Sequence, residues 1–210
     1  MKLTIISDMH TDYRLLDLSS ADVLIVAGDI DTYYGQPSLY QFNCWLERQP
    51  FTHKIIVAGN HDRYLAEAGY KSVQKQLTNG IYLENSSVTV EGIKFYGSPI
   101  TPTFLDWWFM ADRDKISKYW DMIPNDTDVL ITHGPPYGIL DYVNNTYNID
   151  HHVGCKSLLQ KVNEIKPMIH CFGHIHCGYG IYKTEHTTFI NASIMDESYT
   201  PVNKPITIEI

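Results

Sequence analysis

The stretch Ile55-Ile56-Val57-Ala58-Gly59-Asn60-His61-Asp62 joins a short apolar run to a glycine and three polar residues. An apolar run of this length, rich in β-branched residues, predicts a strand buried on both faces. The pattern recurs where residues 3–6, 23–27, 129–131 and 168–172 precede Ser7-Asp8, Gly28-Asp29, Thr132-His133-Gly134 and Gly173-His174. Helix-like segments separate these runs, so the sequence predicts an α/β fold.

The segments between and after the apolar runs add detail to this prediction. Leu39, Phe42 and Leu46 fall at helical spacing, and a further helix is predicted over residues 155–166, ending before Pro167. A hairpin over residues 87–96 turns at Glu91-Gly92, and short antiparallel strands are predicted over residues 179–182, 188–190 and 206–210. Residues 1–210 contain no repeat or linker and are predicted to form one domain, with the aromatic-rich residues 99–124 as an insertion or lid.

The composition excludes several classes of protein. Of the 210 residues 44% are hydrophobic, which argues against a disordered chain. The 16 Lys and Arg against 24 Asp and Glu give a formal net charge of −8, a poor surface for coating duplex nucleic acid. We expect no membrane partner, because no apolar run approaches the ~18 residues of a membrane span. Four cysteines outside any CxxC pair, in a chain without an export signal, predict reduced thiols and a cytoplasmic setting.

Polar residues collect just after the five predicted strands. They are Asp8, His10, Asp29, Asn60, His61, His133, His174 and His176. In open α/β sheets ligands bind beyond the carboxyl ends of the strands, so these side chains should converge. Carboxylates and imidazoles at the edge of a core cost free energy unless they are paired or bind a metal. Mixed oxygen and nitrogen ligands without thiolates favour Mn²⁺, Fe, Co, Ni or Zn²⁺ over Ca²⁺ and over a structural zinc site.

The five blocks resemble the calcineurin-like metallophosphoesterases in order and spacing. The blocks are Asp8-Met9-His10, Gly28-Asp29, Gly59-Asn60-His61-Asp62, Thr132-His133-Gly134 and Gly173-His174-Ile175-His176. The resemblance implies a four-layer αββα sandwich of two mixed β-sheets flanked by helices. Further blocks, among them Thr101-Pro102, Gly134-Pro135-Pro136 and Asn191-Ala192-Ser193, are similar to the metallophosphoesterase-domain subgroup, whose members act on phosphodiesters, including cyclic nucleotides, commonly with manganese.

The resemblance also implies a role for each site residue. Asp8, His10 and His176 would bind one divalent metal ion, Asn60, His133 and His174 a second, and Asp29 would bridge the two. His61 would face the substrate as a catalytic residue, and Asp62 would fix the His61 ring, as carboxylates do for imidazoles. Asn60 and His61 are also expected to contact substrate. His152 follows a polar loop and is a candidate substrate contact, against the alternative of a solvated loop.

The function implied is hydrolysis of a small phosphodiester, of the cyclic nucleotide or 2′,3′-cyclic phosphate class. Two cations, most simply Mn²⁺, would share a water held as hydroxide that attacks phosphorus in line with the leaving oxygen. A phosphomonoesterase or a nuclease acting on short oligonucleotides would use the same site, and a non-catalytic nucleotide-binding scaffold would share only the fold. The oligomeric state is left open. Trp107, Trp108 and Trp120 either stack on a base or pack in the core, and packing is favoured.

Overall fold

The computed structural model describes residues 1–32, 34–143 and 151–210. The strands are β1 (Lys2–Ile6), β2 (Ala21–Ala27), β3 (Phe51–Val57), β4 (Ile81–Leu83), β5 (Ser86–Val90), β6 (Ile93–Ser98), β7 (Thr101–Pro102), β8 (Met110–Ala111), β9 (Val129–Thr132), β10 (Ile169–Phe172), β11 (Gly180–Lys183), β12 (Thr188–Asn191) and β13 (Ile206–Glu209). The helices are α1 (Gln36–Glu47), α2 (Arg63–Ala68), α3 (Tyr70–Gln76), α4 (Ser117–Trp120) and α5 (Lys156–Ile165). Two short 3₁₀ helices cover Asp12–Leu15 and His176–Gly178.

The strands form two mixed sheets. The first has the order β13-β1-β2-β3-β4, in which β1 to β4 are parallel and β13 is antiparallel to β1. The second has the order β11-β12-β10-β9-β6-β5, with β12, β10, β9 and β6 parallel and an antiparallel strand at each edge. Strands β7 and β8 form a separate two-stranded pair.

Alternate residues of each central strand enter different layers of the core. On β2, Leu24 and Val26 pack with helix α1, whereas Val23, Ile25 and Ala27 pack against the second sheet. A third cluster places the far face of the second sheet against α4 and α5. The order of layers is therefore helix, sheet, sheet, helix, which confirms the predicted four-layer αββα sandwich.

The turn of the predicted hairpin is where the sequence places it. Glu91 and Gly92 connect β5 to β6 with φ angles of 49° and 85°, the left-handed pair that tight hairpins use. The carboxyl-terminal strands differ from the prediction, because only β11 and β12 pair with each other antiparallel. Strand β12 also runs parallel to β10, and β13 joins the other sheet beside β1. Strand β13 is the edge strand of the first sheet, and its Ile206 and Ile208 pack in the core between the sheets, a placement that local pattern alone does not specify.

The aromatic-rich residues 99–124 contain β7, β8 and α4. Trp120 is 1% exposed and packs in the third cluster, which confirms the packing interpretation for this residue. Trp107 and Trp108 are only partly buried. That the segment acts as a lid stays a prediction. No helix within the described ranges is both long and apolar enough to cross a membrane.

One histidine outside the site is buried inside the second sheet. His170 on β10 packs against Phe172 and Phe189, with ring centroids 5.0 and 5.7 Å away. The Thr132 hydroxyl donates to the Gly134 carbonyl, so it accepts from Nε2 of His170 at 2.9 Å. The other ring nitrogen, Nδ1, is buried and has no hydrogen-bond partner in the part of the chain that the structure describes. Burial lowers the pKa of His170 from 6.5 to about 3, because the charged imidazolium would lose its hydration.

This depressed pKa predicts an acid-sensitive fold. Between pH 6.5 and about 3 the unfolded chain binds a proton at His170 that the folded chain does not. The free energy of unfolding therefore falls as the pH drops through this range. We expect His170→Phe to show a shallower loss of stability with falling pH than the parent protein, measured by urea denaturation at several pH values. His186→Gln, at an exposed position, is the control, and equal slopes for the parent and His170→Phe would contradict the prediction.

Candidate metal centre

Both sheets contribute side chains to one edge of the sandwich. Asp8 and Asp29 lie two residues beyond β1 and β2, and Asn60 lies three beyond β3. His133 follows β9 directly, and His174 lies two residues beyond β10. Because these strands are parallel neighbours within their sheets, their carboxyl ends meet at the same edge. The predicted convergence is therefore present.

The ligand-type atoms approach closely enough to surround metal ions. Three groups have all their ligand atoms within 4.8 Å of one another: Asp8 with His10 and His176, His10 with Asp29 and His61, and Asp8 with Asp29 and His133. Nε2 of His176 lies 3.6 Å from Asp8 Oδ1, and Nε2 of His10 lies 3.7 Å from Asp29 Oδ2. Asp8, His10 and Asp29 each belong to two of these groups.

The residues predicted to bind the second metal ion come together around His133. Its Nε2 lies 2.9 Å from Asn60 Oδ1 and 3.3 Å from Asp29 Oδ1. The His174 ring is 5.0 Å from the His133 ring, between centroids, and lines the same cleft. Among the described residues, His174 belongs to none of the three close groups.

Backbone carbonyls orient two of the imidazoles. Nδ1 of His133 donates to the Ala27 carbonyl at 2.9 Å, and Nδ1 of His176 donates to the Asp196 carbonyl at 2.8 Å. A carbonyl can only accept, so Nδ1 carries a proton in each ring and Nε2 is directed to the carboxylates. This is the arrangement of metal-binding histidines, whose second nitrogen donates to a protein acceptor.

The charges in the site suit a cation. Burial opposes ionisation of Asp8 and Asp29, but the hydrogen bond from His176 to Asp8 and the charge of His133 beside Asp29 hold both pKa values below the ordinary range. Burial disfavours the imidazolium of His133, yet the charge of Asp29 outweighs it and raises the pKa of His133 to about 9. Among the described residues, the buried Nε2 of His10 has no hydrogen-bond partner. An unpartnered imidazole nitrogen beside two buried carboxylates fits a metal ligand, since a cation satisfies both.

Comparisons with known proteins agree with this geometry. The calcineurin-like phosphoesterase family matches residues 1–178. The chain belongs to this family. It is 40% identical over 230 residues to metallophosphoesterase domain-containing protein 1 of Homo sapiens, covering 98% of this chain and 69% of that protein. It is 34% identical over 223 residues to the UPF0046 protein K07C11.7 of Caenorhabditis elegans, covering 100% of this chain and 75% of that protein.

Solved structures support the fold. The phosphopantetheinyl hydrolase of Mycobacterium tuberculosis superposes with a TM-score of 0.61 at 14% sequence identity, covering 98% of this chain and 95% of that chain. At that identity the likeness concerns the fold alone. The 40% identity to the human relative confirms the resemblance to the metallophosphoesterase-domain subgroup. As a calcineurin-like phosphoesterase, the chain is a metal-dependent phosphoric ester hydrolase, with ligand groups suited to a dinuclear divalent centre.

His61 lies at the mouth of the metal cleft. Its ring is 4.2 Å from the Trp107 ring and 4.9 Å from the His10 ring, between centroids. Its backbone N–H donates to Asp29 Oδ1 at 2.9 Å, which ties the loop carrying His61 to the bridging carboxylate. The packing explains how Trp107 of the aromatic-rich segment reaches the site. It also places the His61 ring nitrogens near enough to Asp29 to bind a metal, a role that the resemblance does not give this residue.

Asp62 has a different partner from the one predicted. Its fully buried carboxylate accepts hydrogen bonds from the backbone N–H groups of Gly59, Ile30 and Thr32, at 2.8, 3.3 and 3.2 Å. Within the described residues, none reaches it from the His61 ring. Burial and the nearby charge of Asp29 raise the pKa of Asp62 to about 7. Asp62 thus joins the Asp29 loop to the Asn60 loop, because its side chain turns into the protein while that of His61 turns outward.

His152 lies outside the metal cleft. Its Nδ1 is 2.6 Å from Oδ1 of Asp141, which is fully buried, and its ring borders a neighbouring cavity. Asp141 also accepts from the N–H groups of Gly138 and Gly154, at 2.8 and 2.9 Å. This fixed carboxylate holds His152 away from the ligand cluster, so the predicted substrate contact does not belong to the metal cleft itself.

Several residues of the site have no counterpart in the sequence-based set. Ser193 Oγ donates to Asp8 Oδ2 at 2.8 Å, and the Tyr199 ring lies 4.7 Å from the His10 ring between centroids. Phe104 and Glu197 line the cleft as well. The block Asn191-Ala192-Ser193 is part of the subgroup pattern and so marks Ser193. Tyr199 lies in an irregular segment without periodicity, and nothing in the sequence distinguishes it.

Glycines beside the ligands are required by close packing. A Cβ on Gly59 would lie 2.2 Å from Asp29 Oδ1 and 2.5 Å from the Asp29 nitrogen, and a Cβ on Gly28 would lie 2.2 Å from His133 Nδ1. Gly28 also has a φ of 108°, which side chains rarely adopt. The Gly-Asp and Gly-Asn-His-Asp blocks therefore require glycine because a side chain at either position would clash with the neighbouring ligands.

We predict that Gly59→Ala displaces Asp29 and lowers the amount of bound divalent metal, measured by elemental analysis after reloading with Mn²⁺. Gly134→Ala is a matched control, because Gly134 also adjoins a ligand. Its Cβ would lie 3.1 Å from the Thr101 side chain, which can yield, and 3.9 Å from the His174 ring, which is an ordinary van der Waals contact. The control should keep its metal. If the two variants bound equal metal, the close contact at Asp29 would not govern the site.

Proposed function

We propose that the chain is a phosphodiesterase, hydrolysing small phosphodiesters of the cyclic nucleotide or 2′,3′-cyclic phosphate class. The observation that carries the proposal is the charge of the metal cleft. Its described lining includes Asp29 and Glu197 but no lysine or arginine. A phosphomonoester carries a second negative charge that fixed cations usually neutralise, whereas a diester carries one. The cleft of about 230 Å³ therefore favours the singly charged diester.

The walls of the cleft also suit a substrate with groups on both sides of phosphorus. Tyr199 lines the cleft and packs on His10 and His176, and Trp107 packs on the lining residue His61. Phe104 contacts His174 with a centroid distance of 5.9 Å. Flat aromatic side chains of this kind stack on nucleobases, and each stacked base contributes about 1–3 kcal/mol to the binding free energy.

The chain's own residues divide the work of the reaction. Asp8, His10, Asp29, Asn60, His133, His174 and His176 would hold two divalent cations. When bound, the cations supply Lewis-acid activation of water and neutralise charge on the phosphoryl oxygens. His61, at the cleft mouth, donates a proton to the leaving oxygen or to a phosphoryl oxygen. Asn60 places its amide beside the substrate. Asp62 acts as a positioning residue, since its bonds fix the two loops that carry Asp29 and Asn60.

We propose Mn²⁺ as the metal in a cytoplasmic setting. The donor set mixes carboxylate and amide oxygens with imidazole nitrogens, which suits a metal of intermediate softness. All four cysteines are free, with Cys177 exposed beside the metal ligand His176. An exposed thiol next to a metal site stays reduced most readily in a reducing compartment.

The deciding experiment compares two chromogenic esters on metal-stripped protein reloaded with Mn²⁺. We expect bis-(p-nitrophenyl) phosphate to be hydrolysed faster than p-nitrophenyl phosphate. Monoester turnover far above diester turnover would favour a phosphomonoesterase. No turnover of either ester with Mn²⁺, Fe²⁺, Co²⁺, Ni²⁺ or Zn²⁺ would instead favour a non-catalytic nucleotide-binding scaffold. Short oligonucleotides and cyclic nucleotides, tested on the reloaded protein, then separate a nuclease from a cyclic phosphodiesterase.

Two substitutions separate metal binding from proton transfer. Asp29→Ala should lower both metal content and rate, because it removes a buried carboxylate that lies close to His10 and to His133. His61→Ala should keep the metal and lower kcat by about 10²–10⁴-fold, the usual contribution of general acid catalysis. Metal analysis and steady-state kinetics measure both effects, with His186→Ala as an exposed control. A loss of metal in His61→Ala as large as in Asp29→Ala would assign His61 to the metal ligands.

A further inference from the structure

Three cavities adjoin one another along the surface that holds the metal cleft. The cleft shares Phe104, Val143, His174 and Ile175 with a middle cavity of about 340 Å³. The middle cavity in turn shares Arg113 and Val153 with an outer cavity of about 690 Å³. A ligand larger than the cleft can therefore extend from the metal ligands through the middle cavity into the outer one.

The outer cavity has the opposite charge character to the cleft. Its described lining includes Arg113, Lys156 and His152 and contains no carboxylate. This is unusual in a chain with 16 Lys and Arg against 24 Asp and Glu. Of the nearby acidic residues, Asp112 bonds to Thr103 and Lys115, and Asp141 bonds to His152.

The cationic groups of the outer cavity are held in place. The Arg113 guanidinium donates to the carbonyls of Val153 and Gly154, at 2.6 and 2.8 Å, which uses two of its five N–H groups. The Lys156 ammonium lies 4.5 Å from the centroid of the Tyr137 ring, and Asp141 fixes the His152 ring. Such restraint lowers the entropy lost when these groups bind a ligand.

The N-terminus of helix α5 adds to the positive electrostatic potential in the outer cavity. Lys156 and Ser157, its first two residues, line the outer cavity, and the preceding residue Cys155 makes no side-chain cap. The N-terminal N–H groups of a helix carry a partial positive charge and favour anions. The lysine and arginine side chains and the helix terminus therefore favour the same kind of ligand, an oxyanion.

The middle cavity differs from both neighbours because its lining is mostly apolar. Pro102, Phe104, Pro135, Val143 and Ile175 form its walls, with Arg113 and His174 at its two ends. A cavity of this size and character accommodates a ring such as a nucleobase. Together, the three cavities would therefore bind a ligand that has an apolar group between two charged groups.

We infer that the outer cavity binds a terminal phosphate of the same substrate whose diester lies at the metal ligands. The substrate class becomes a phosphodiester that carries a second, terminal phosphate beyond an apolar ring. This inference rests on the proposed phosphodiesterase activity for its kinetic consequence, whereas the anion site itself does not depend on catalysis. His152 then contacts the terminal phosphate and not the scissile one.

Phosphate binding can be tested without catalysis on the metal-free protein. The empty ligand cluster carries Asp8 and Asp29 and should repel anions, so inorganic phosphate should report the outer cavity. We expect saturable shifts of the backbone amide resonances of residues 156–158 in ¹H–¹⁵N NMR spectra. Lys156→Gln should weaken this affinity about tenfold, as expected for loss of one charge-assisted hydrogen bond. Lys161→Gln is the matched control, since Lys161 is on the same helix but bonds to Asn125 and Glu164.

The second test uses thymidylyl-thymidine with and without a 5′-phosphate on the Mn²⁺-loaded protein. We expect a lower KM for the phosphorylated form, and Lys156→Gln should remove this difference without changing turnover of bis-(p-nitrophenyl) phosphate. Lys156→Arg should restore it, because the charge is kept. Thermal unfolding checks that each variant is folded.

The outcomes distinguish the two proposals. Phosphate shifts at residues 156–158 without hydrolysis of any diester would support the anion site and overturn the proposed function. Diester hydrolysis with no phosphate shifts, or with equal weakening in Lys156→Gln and Lys161→Gln, would overturn the anion site and leave the phosphodiesterase intact. Equal KM values for the two dinucleotides would overturn the assignment of the anion to the substrate.

Discussion

The site depends on two carboxylates, Asp8 and Asp29, buried beyond the ends of adjacent parallel strands. Asp8 is 0% and Asp29 2% exposed. Removing two like charges from water is costly unless cations or hydrogen-bond donors surround them. The chain provides donors at the backbone of His174, the hydroxyl of Ser193 and the backbone of His61. These contacts leave carboxylate lone pairs directed at the imidazoles, where divalent cations would complete the charge balance.

The four-layer architecture brings side chains from both sheets together at the metal centre. The carboxylates come from the first sheet and three imidazoles, His133, His174 and His176, come after strands of the second. A single sheet would present these groups in a row, whereas two facing sheets present them across a junction. The inter-sheet core formed by alternate residues of both sheets fixes that junction. Packing in the core therefore sets the distances between metal ligands, and a glycine such as Gly59 is needed where the two loops touch.

The sequence predicts this edge well because strand ends obey a local rule. A buried run followed by a polar residue places that residue at the carboxyl end, whatever the order of the strands. The partner of Asp62 could not be predicted in the same way. It depends on how residues 30–32 fold over the site, and that loop supplies two of its donors. The contacts of Tyr199 with His10 and of Asp141 with His152 could not be predicted either, because they do not follow from a helical or strand periodicity in the sequence. The pairing of β12 and β13 in different sheets likewise depends on long-range packing.

The distribution of fixed charge gives the acidic composition a physical meaning. The sequence has a net charge of −8, yet phosphate chemistry needs positive charge at the reacting centre. The described lining of the cleft offers no lysine or arginine, so bound metal would supply that charge. Bound ions are the largest local charges in such a site and determine its potential. Arg113 and Lys156 lie in a separate cavity. In the proposed function, the metal would supply the positive charge for catalysis, and these two side chains would supply the positive charge that recognises a second phosphate at a distance.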